Sequence, residues 1–214
     1  MEQYYNQFTE LLESEDRYGC IKYAQQLLNE KRVGIVELYQ DIIRPSLQNI
    51  TCKVNEKNMC VWQEHVRSAI ARTVIECCYT YVIEEAIAMK SVNRGKVVVI
   101  CPQGEYHDIG ARMIADFFTI SGFETVFVGS NTPKADFLAA VESMKPNYVA
   151  ISVTDYYNLF SAKKSIESIK TKVRADIKIV AGGNAFKANP DAFKIIGADF
   201  LVDTFADIKK IGGI

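Results

Sequence analysis

The chain has 214 residues, of which 49% are hydrophobic and 24% charged, and its formal net charge is −1. This length and balance are typical of a soluble protein with one large domain or two small ones. The sequence has no basic tract and no apolar run of membrane-spanning length, so it disfavours both nucleic-acid binding and membrane insertion. The N-terminus is polar and acidic, and the cysteines form no CxxC pair, so we predict a cytoplasmic protein with reduced thiols.

Up to Met89 the apolar residues recur at helical spacing, which predicts a helical bundle over residues 1–90. The predicted helices are Glu2–Leu12, Asp16–Asn29, Ile35–Ile50 and Val61–Met89. Pro45 is expected to kink or split the third. The predicted inner face of the fourth consists of Val66, Ile70, Thr73, Cys77 and Tyr81.

A polar link at residues 91–95 precedes a second predicted domain, residues 96–214, in which strands and helices alternate. Its first strand, Val97–Cys101, is apolar and β-branched throughout, as in a strand buried on both faces. The elements that follow are Ile109–Ser121, Thr125–Val128, Ala135–Met144, Tyr148–Val153, Ser161–Val173, Ile177–Ala181, Asp191–Ile196, Phe200–Val202 and Phe205–Ile211. Five βα units predict an α/β domain with a flavodoxin-like, five-stranded parallel sheet. No glycine-rich nucleotide motif follows the first strand, which disfavours a dinucleotide or ATP site.

The loop after the first strand contains a carboxylate, a histidine and a glycine: Glu105, His107 and Gly110. Ligands of open α/β sheets bind beyond the carboxyl ends of the strands, in this topology between the first and third strands. The third strand ends in Ser152 and Thr154, and the next ends in the pair 182–183, two glycines. We therefore expect an imidazole, two hydroxyls and an open glycine surface at one crevice.

The pattern Glu105-x-His107-x-x-Gly110, followed by Ser152-x-Thr154 and Gly182-Gly183, resembles the cobalamin (B12)-binding domain of methionine synthase, corrinoid methyltransferase carriers and B12-dependent mutases. The resemblance covers about Lys96 to Ile214. It implies a cobalamin cofactor, in its adenosyl, methyl or hydroxo form, with His107 as the lower axial cobalt ligand in place of the cofactor's own base. The residues that it assigns to the nucleotide-tail pocket are Ser152, Thr154, Gly182 and Gly183. The loop residues that it assigns to the cofactor contact are Glu105, Tyr106, Asp108, Ile109 and Gly110.

Glu105 departs from the family, which usually has aspartate at this position. A carboxylate behind a metal-bound imidazole fixes its tautomer and raises its basicity. Because glutamate is one methylene longer, it could bond to His107 directly, indirectly or not at all. Taken alone, His107 would also fit an ordinary loop histidine.

The second histidine, His65, follows Trp62 and Glu64 at the start of the fourth predicted helix. Periodicity alone predicts a surface or boundary histidine. However, the stretch from Leu38 to His65 resembles the bundle of light-sensing, cobalamin-dependent repressors, which carry a Glu-His pair here. That resemblance implies His65 as an upper cobalt ligand, with Trp62 and Glu64 beside the cofactor. Those repressors have a tryptophan ten residues before the glutamate, where this chain has Val54.

Two functions follow from the resemblance. The first is a sensor or regulatory protein that responds to the upper cobalt ligand. Since the first helix begins close to Met1, we expect no preceding DNA-binding domain and an output through a protein partner or self-association. The alternative is a corrinoid carrier that passes a methyl group between methyltransferases. A mutase subunit would need a substrate barrel that is absent, and neither remaining function makes the chain a complete enzyme.

Overall fold

The computed structural model describes residues 1–49, 57–89, 92–173 and 176–213. The chain divides into two compact units, Met1–Glu85 and Ala86–Ile214. The division falls a few residues before the predicted link at residues 91–95. None of the helices described is long and apolar enough to cross a membrane.

The first unit is helical. Its helices are α1 (Glu2–Glu13), α2 (Arg17–Asn29), α3 (Ile35–Glu37), a π-helical stretch (Leu38–Ile43), α4 (Arg44–Gln48), α5 (Lys57–Cys77) and α6 (Tyr79–Ala88), the last ending beyond the division. Its core consists of fully buried apolar side chains, among them Phe8, Leu12, Leu38, Tyr39, Ile42, Ile70, Val74 and Ile75. The predicted N-terminal helical region is therefore present.

Pro45 does not end the third predicted helix. The chain stays helical from Ile35 to Gln48, and the π-helical stretch Leu38–Ile43 comes immediately before the proline turn. Proline has no N–H, and in a regular α-helix its ring collides with the carbonyl four residues earlier. The π-helical turn before Pro45, with i→i+5 hydrogen bonds, accommodates the proline without ending the helix. The predicted end of this helix at Ile50, like Val54, lies outside the described residues.

The fourth predicted helix is two helices, α5 and α6, separated at Cys78. The Cys78 amide donates to the carbonyls of both Val74 and Ile75, at 3.1 Å each, a sharing typical of a helix end. The predicted inner stripe is only partly right. Ile70 is buried, but Val66, Thr73, Cys77 and Tyr81 are only half-buried. The fully buried face is Ile70, Ala71, Val74, Ile75, Cys78 and Val82, and α5 packs against α1, α2 and α4.

The second unit contains a five-stranded parallel sheet in the order β2-β1-β3-β4-β5. The strands are β1 (Lys96–Pro102), β2 (Glu124–Thr132), β3 (Tyr148–Ser152), β4 (Lys178–Gly182) and β5 (Phe200–Val202). The helices are α7 (Ile109–Ile120), α8 (Lys134–Met144), α9 (Leu159–Ser168), α10 (Ala192–Ile195) and α11 (Phe205–Gly212). This confirms the predicted flavodoxin-like α/β fold.

Helices cover both faces of the sheet, with α7 and α11 in one layer and α8 and α9 in the other. Strand β1 is central and buried from Val97 onwards, which explains its continuous apolar sequence. The core beneath α8 and α9 includes Ile100, Phe137, Val141, Val149, Ile151, Ile166 and Ile179.

Strand β2 is longer than predicted, because it continues past Val128 to Thr132. Its pairing with β1 slips between Val99 and Ile100 and again between Ile100 and Pro102. Gly129 and Asn131 in this segment have positive φ angles of +105° and +47°. Such bulges redirect the end of a strand, and here they bring Asn131 to the loop that follows β1.

Candidate functional site

The loop between β1 and α7 lies at the carboxyl edge of the sheet, at the point where the strand order reverses. Strand β1 has β2 on one side and β3 on the other, so the ends of β1 and β3 flank the crevice expected for this topology. The loop ends at Asp108, directly before α7. The loop that carries the predicted site therefore lies at the predicted edge of the sheet.

His107 and Glu105 form a close pair within this loop. Nδ1 of His107 lies 2.6 Å from Oε1 of Glu105, while the His107 side chain is 61% exposed and the Glu105 side chain is fully buried. Since an ionised carboxylate only accepts hydrogen bonds, Nδ1–H is the donor. In the neutral imidazole this makes Nε2 the unprotonated nitrogen, and the part of the chain that the structure describes offers it no hydrogen-bond partner. An exposed imidazole fixed in this tautomer can ligate a metal through Nε2.

The Glu105 carboxylate is held by amides from two parts of the chain. Oε1 also accepts a hydrogen bond from the His107 backbone N–H at 3.0 Å. Oε2 accepts from the Thr154 and Asp155 amides, at 2.9 and 3.0 Å, and from Nδ2 of Asn158 at 3.1 Å. The extra methylene of glutamate therefore does not weaken the contact with His107. One carboxylate reaches both the histidine and the segment after β3.

These hydrogen bonds set the charge of the carboxylate. Burial by itself would raise the pKa of Glu105, but hydrogen bonds from Asp155, His107 and Thr154 outweigh it and hold the pKa below its ordinary value. Glu105 is thus an anion at neutral pH.

The buried Cys101 lies close to this pair and donates its S–H to the His107 carbonyl at 4.0 Å. Burial, with the Asp108 and Glu105 carboxylates, raises the pKa of the Cys101 thiol to about 12, so it stays protonated.

The predicted hydroxyl residues lie where β3 ends. Ser152 is the last residue of β3 and pairs with Gly182 of β4, and Thr154 follows it in the crevice. Both are half-buried, and within the described ranges neither hydroxyl makes a hydrogen bond. They are available to a polar ligand, and the Thr154 backbone amide already holds Glu105.

The two glycines have a structural role that sequence reasoning missed. A Cβ on Gly183, whose φ is +108°, would lie 2.3 Å from the Val153 carbonyl oxygen, and one on Gly182 would lie 2.9 Å from that of Val202. Their missing side chains therefore face protein backbone. We expected these glycines to give a ligand an open surface. Instead, the space where their side chains would lie is occupied by the backbone of Val153 and Val202. Their contact with a nucleotide tail stays a prediction.

Gly110 differs from these glycines, because a Cβ there would have no atom within 4 Å. The other predicted loop contacts vary in exposure: Tyr106 is 68% exposed, Ile109 half-buried and Asp108 buried. The contact of these loop residues with a cofactor stays a prediction.

The remaining predicted site residues belong to the first unit. Trp62, Glu64 and His65 lie on α5 and are all exposed. Their predicted position above a cofactor stays a prediction.

Three residues that contact the His107 loop were not among the predicted site residues: Asn131, Asp155 and Asn158. Asn158 lies six residues after Ser152 and Asn131 near the end of β2. A search for amide side chains near the ends of the strands that flank β1 would have found both asparagines, but not their contacts.

The donor set suits a metal that is already chelated. The described residues contain no cluster of three or more potential metal ligands, whereas His107 offers a single oriented nitrogen. One exposed imidazole backed by a buried carboxylate, with unpaired hydroxyls across the crevice, fits a macrocyclic metal complex that takes one axial ligand from the protein.

Comparisons with known proteins agree with this geometry. Residues 95–207 match the family model described as B12 binding domain. A corrinoid protein from Desulfitobacterium hafniense (strain Y51) is 26% identical over 136 residues, which cover 61% of this chain and 62% of the relative. Trimethylamine corrinoid protein 1 from Methanosarcina mazei is 26% identical over 115 residues, covering 53% and 52%. The chain thus spans about half to three fifths of the length of these relatives.

Solved structures show the same fold. The monomethylamine corrinoid protein of Methanosarcina barkeri superposes with a TM-score of 0.77 at 15% identity, covering 98% of this chain and 97% of that one. A chain of the methanol:cobalamin methyltransferase complex MtaBC from the same organism gives a TM-score of 0.50 at 17% identity, covering 100% and 79%. Since the family model matches just over half of the chain, and the matched region contains the His107 loop and the sheet, the protein belongs to the B12 binding domain family.

Proposed function

We propose that this protein is a corrinoid carrier of a methyltransferase system, with His107 as the lower axial ligand. The observation that supports this most directly is the His107–Glu105 pair, in which a buried carboxylate bonds to Nδ1 of an exposed imidazole at the carboxyl edge of the sheet. A bound corrinoid would supply a cobalt centre that accepts and releases a methyl group. The chain itself would hold and orient that centre.

Five residues of the candidate site each have a definite role in this proposal. Nε2 of His107 would take the lower cobalt position, and Glu105 would keep the proton on Nδ1 and the ring in place. The hydroxyls of Ser152 and Thr154 would donate hydrogen bonds to the polar tail of the cofactor. Gly110 would leave room beside the ligand loop, since nothing lies within 4 Å of the position of its missing Cβ.

The relatives favour the carrier over the sensor. Several of them are named as trimethylamine or dimethylamine corrinoid proteins, and one structural neighbour is part of a methanol:cobalamin methyltransferase complex. By analogy, the partner of this chain would be a methyltransferase. The sensor hypothesis depends on His65, and no described contact of His65 supports it.

Electron paramagnetic resonance of the reconstituted full chain tests the ligand assignment. Protein containing 15N-histidine, loaded with unlabelled cobalamin and reduced to Co(II), should show the doublet splitting of one 15N nucleus. Unlabelled protein should show the triplet of 14N. His107→Ala should abolish the protein-derived splitting, whereas the matched control His65→Ala should keep it. A triplet that persists in labelled protein would mean that the cofactor's own base stays bound, and the proposal would be wrong.

A further inference from the structure

Two asparagines hold the segment that carries His107, one from each neighbouring strand. Asn131 lies near the end of β2. Its side-chain Oδ1 accepts a hydrogen bond from the Gly104 backbone N–H at 2.9 Å, and its backbone N–H donates to the Glu105 carbonyl at 2.7 Å. The bulges in β2 and the positive φ of Asn131 bring it to this position.

Asn158 holds the same segment from the other side. Its Nδ2 donates to the Gly104 carbonyl at 3.2 Å and to Oε2 of Glu105 at 3.1 Å. Asn158 directly precedes α9, yet its side chain makes no capping hydrogen bond to that helix. A polar side chain at this position usually caps its helix, so the contacts of Asn158 are directed to the ligand loop instead.

Apolar burial cannot fix the conformation of this loop, because Gln103, Gly104, Tyr106 and His107 are all exposed. The hydrogen bonds must therefore define it. The Gly104 N–H and C=O, the Glu105 C=O and one oxygen of the Glu105 carboxylate all bond to the two asparagines. The conformational entropy of the loop is then lost on folding rather than on ligand binding.

We propose that Asn131 and Asn158 are positioning residues that hold His107 in its ligating orientation before the cofactor binds. Asn131 acts as a hydrogen-bond acceptor and Asn158 as a donor. The inference rests on the proposed function, because it takes His107 as the cobalt ligand. It adds two residues that the family motif does not include.

The two roles make aspartate a diagnostic substitution. Asn131→Asp keeps an acceptor oxygen and tolerates the left-handed backbone, so cobalamin affinity should stay within about twofold of wild type. Asn131→Gly keeps the backbone but removes the acceptor, and affinity should fall about tenfold. Asn158→Asp loses both donated hydrogen bonds and places a second carboxylate beside Glu105, so affinity should fall about 10- to 100-fold.

Asn158→Ala removes the donors without adding charge. It should weaken binding in the same direction, and it replaces Asn158→Asp if the latter does not fold. A merely structural role before α9 predicts the opposite result, because aspartate is as good a helix cap as asparagine.

A measurement without cofactor separates the two proposals. The chain has only two histidines, so imidazole 15N resonances are assigned with His107→Ala. In the cofactor-free wild type and Asn131→Asp, the His107 shifts should report a proton on Nδ1, and in Asn158→Asp this tautomer preference should weaken. If the shifts follow this pattern but no histidine couples to cobalt, the proposed function fails and the positioning role stands. If histidine couples but the two aspartate variants behave alike in both measurements, the positioning role is wrong.

Discussion

Nδ1 of His107 and Oε1 of Glu105 are 2.6 Å apart, although the histidine side chain is 61% exposed and the glutamate side chain is fully buried. The pair thus connects an anion inside the protein with an imidazole at its surface. The burial keeps competing water away from the carboxylate, and the amides that surround it keep it ionised. The exposure leaves most of the imidazole surface open to solvent.

The length and charge of Glu105 should both matter for cobalamin affinity. Glu105→Gln places an amide N–H against either the His107 Nδ1–H or the N–H donors of Thr154 and Asp155, so two donors face each other. We expect affinity to fall about 10- to 100-fold. Glu105→Asp should lower the affinity by a smaller factor. Its shorter carboxylate keeps the charge but cannot reach both His107 and the amides of Thr154 and Asp155. Titrations followed by the visible spectrum would measure this, with the exposed Glu142→Gln as control. Equal affinity in all variants would contradict the role of Glu105.

Stability should depend on pH through Glu105. Because its pKa in the folded state is held below the ordinary value of about 4.3, its contribution is fully present above that value and is lost as pH falls through the folded-state pKa. Urea unfolding of cofactor-free protein between about pH 3 and 7 should therefore show a steeper acid loss for wild type than for Glu105→Gln. Glu142→Gln should follow wild type. Parallel acid limbs for wild type and Glu105→Gln would contradict the lowered pKa.

Two glycines of the motif should respond in opposite ways. Gly183 has φ +108° and ψ 171°, a conformation nearly restricted to glycine, and a Cβ would collide with Val153, so Gly183→Ala should destabilise the cofactor-free protein by about 1–3 kcal/mol or more. Gly110 is in α7 with free space around it, so Gly110→Leu should leave that stability within about 0.5 kcal/mol. If the cofactor lies against this loop, the same change should weaken cobalamin binding. Thermal unfolding and spectral titration measure the two effects, and unchanged binding would place the cofactor elsewhere.

Light separates the carrier from the sensor. In a carrier, photolysis of the methylcobalamin-loaded protein should give a water-ligated product whose upper position exchanges quickly with added azide, and His65→Ala should behave like wild type. In a sensor, a long-lived bis-histidine spectrum that resists azide should form in wild type and disappear in His65→Ala. The second result would overturn the carrier proposal.

The sequence by itself determined the sheet and the place of the loop that carries His107. A doubly buried strand shows a continuous apolar run, as in Val97–Cys101, and alternating helices impose a parallel order. That order places the end of β1 beside β3, so the loop with His107 could be located at the switch point. The sheet and the position of this loop follow from local patterns and general topology, and the structure bears both out.

The tertiary structure alone decided how the site is held together. Glu105 bonds to amides 49 and 50 residues away and to Asn158, 53 residues away, while Asn131 reaches Gly104 across 27 residues. Hydrogen bonds between distant segments leave no periodic signal in a sequence, and the burial of a carboxylate depends on which amides surround it. The extension of β2, the backbone contacts of Gly182 and Gly183, and the buried face of α5 belong to the same class, since each depends on a neighbour that only the folded chain supplies.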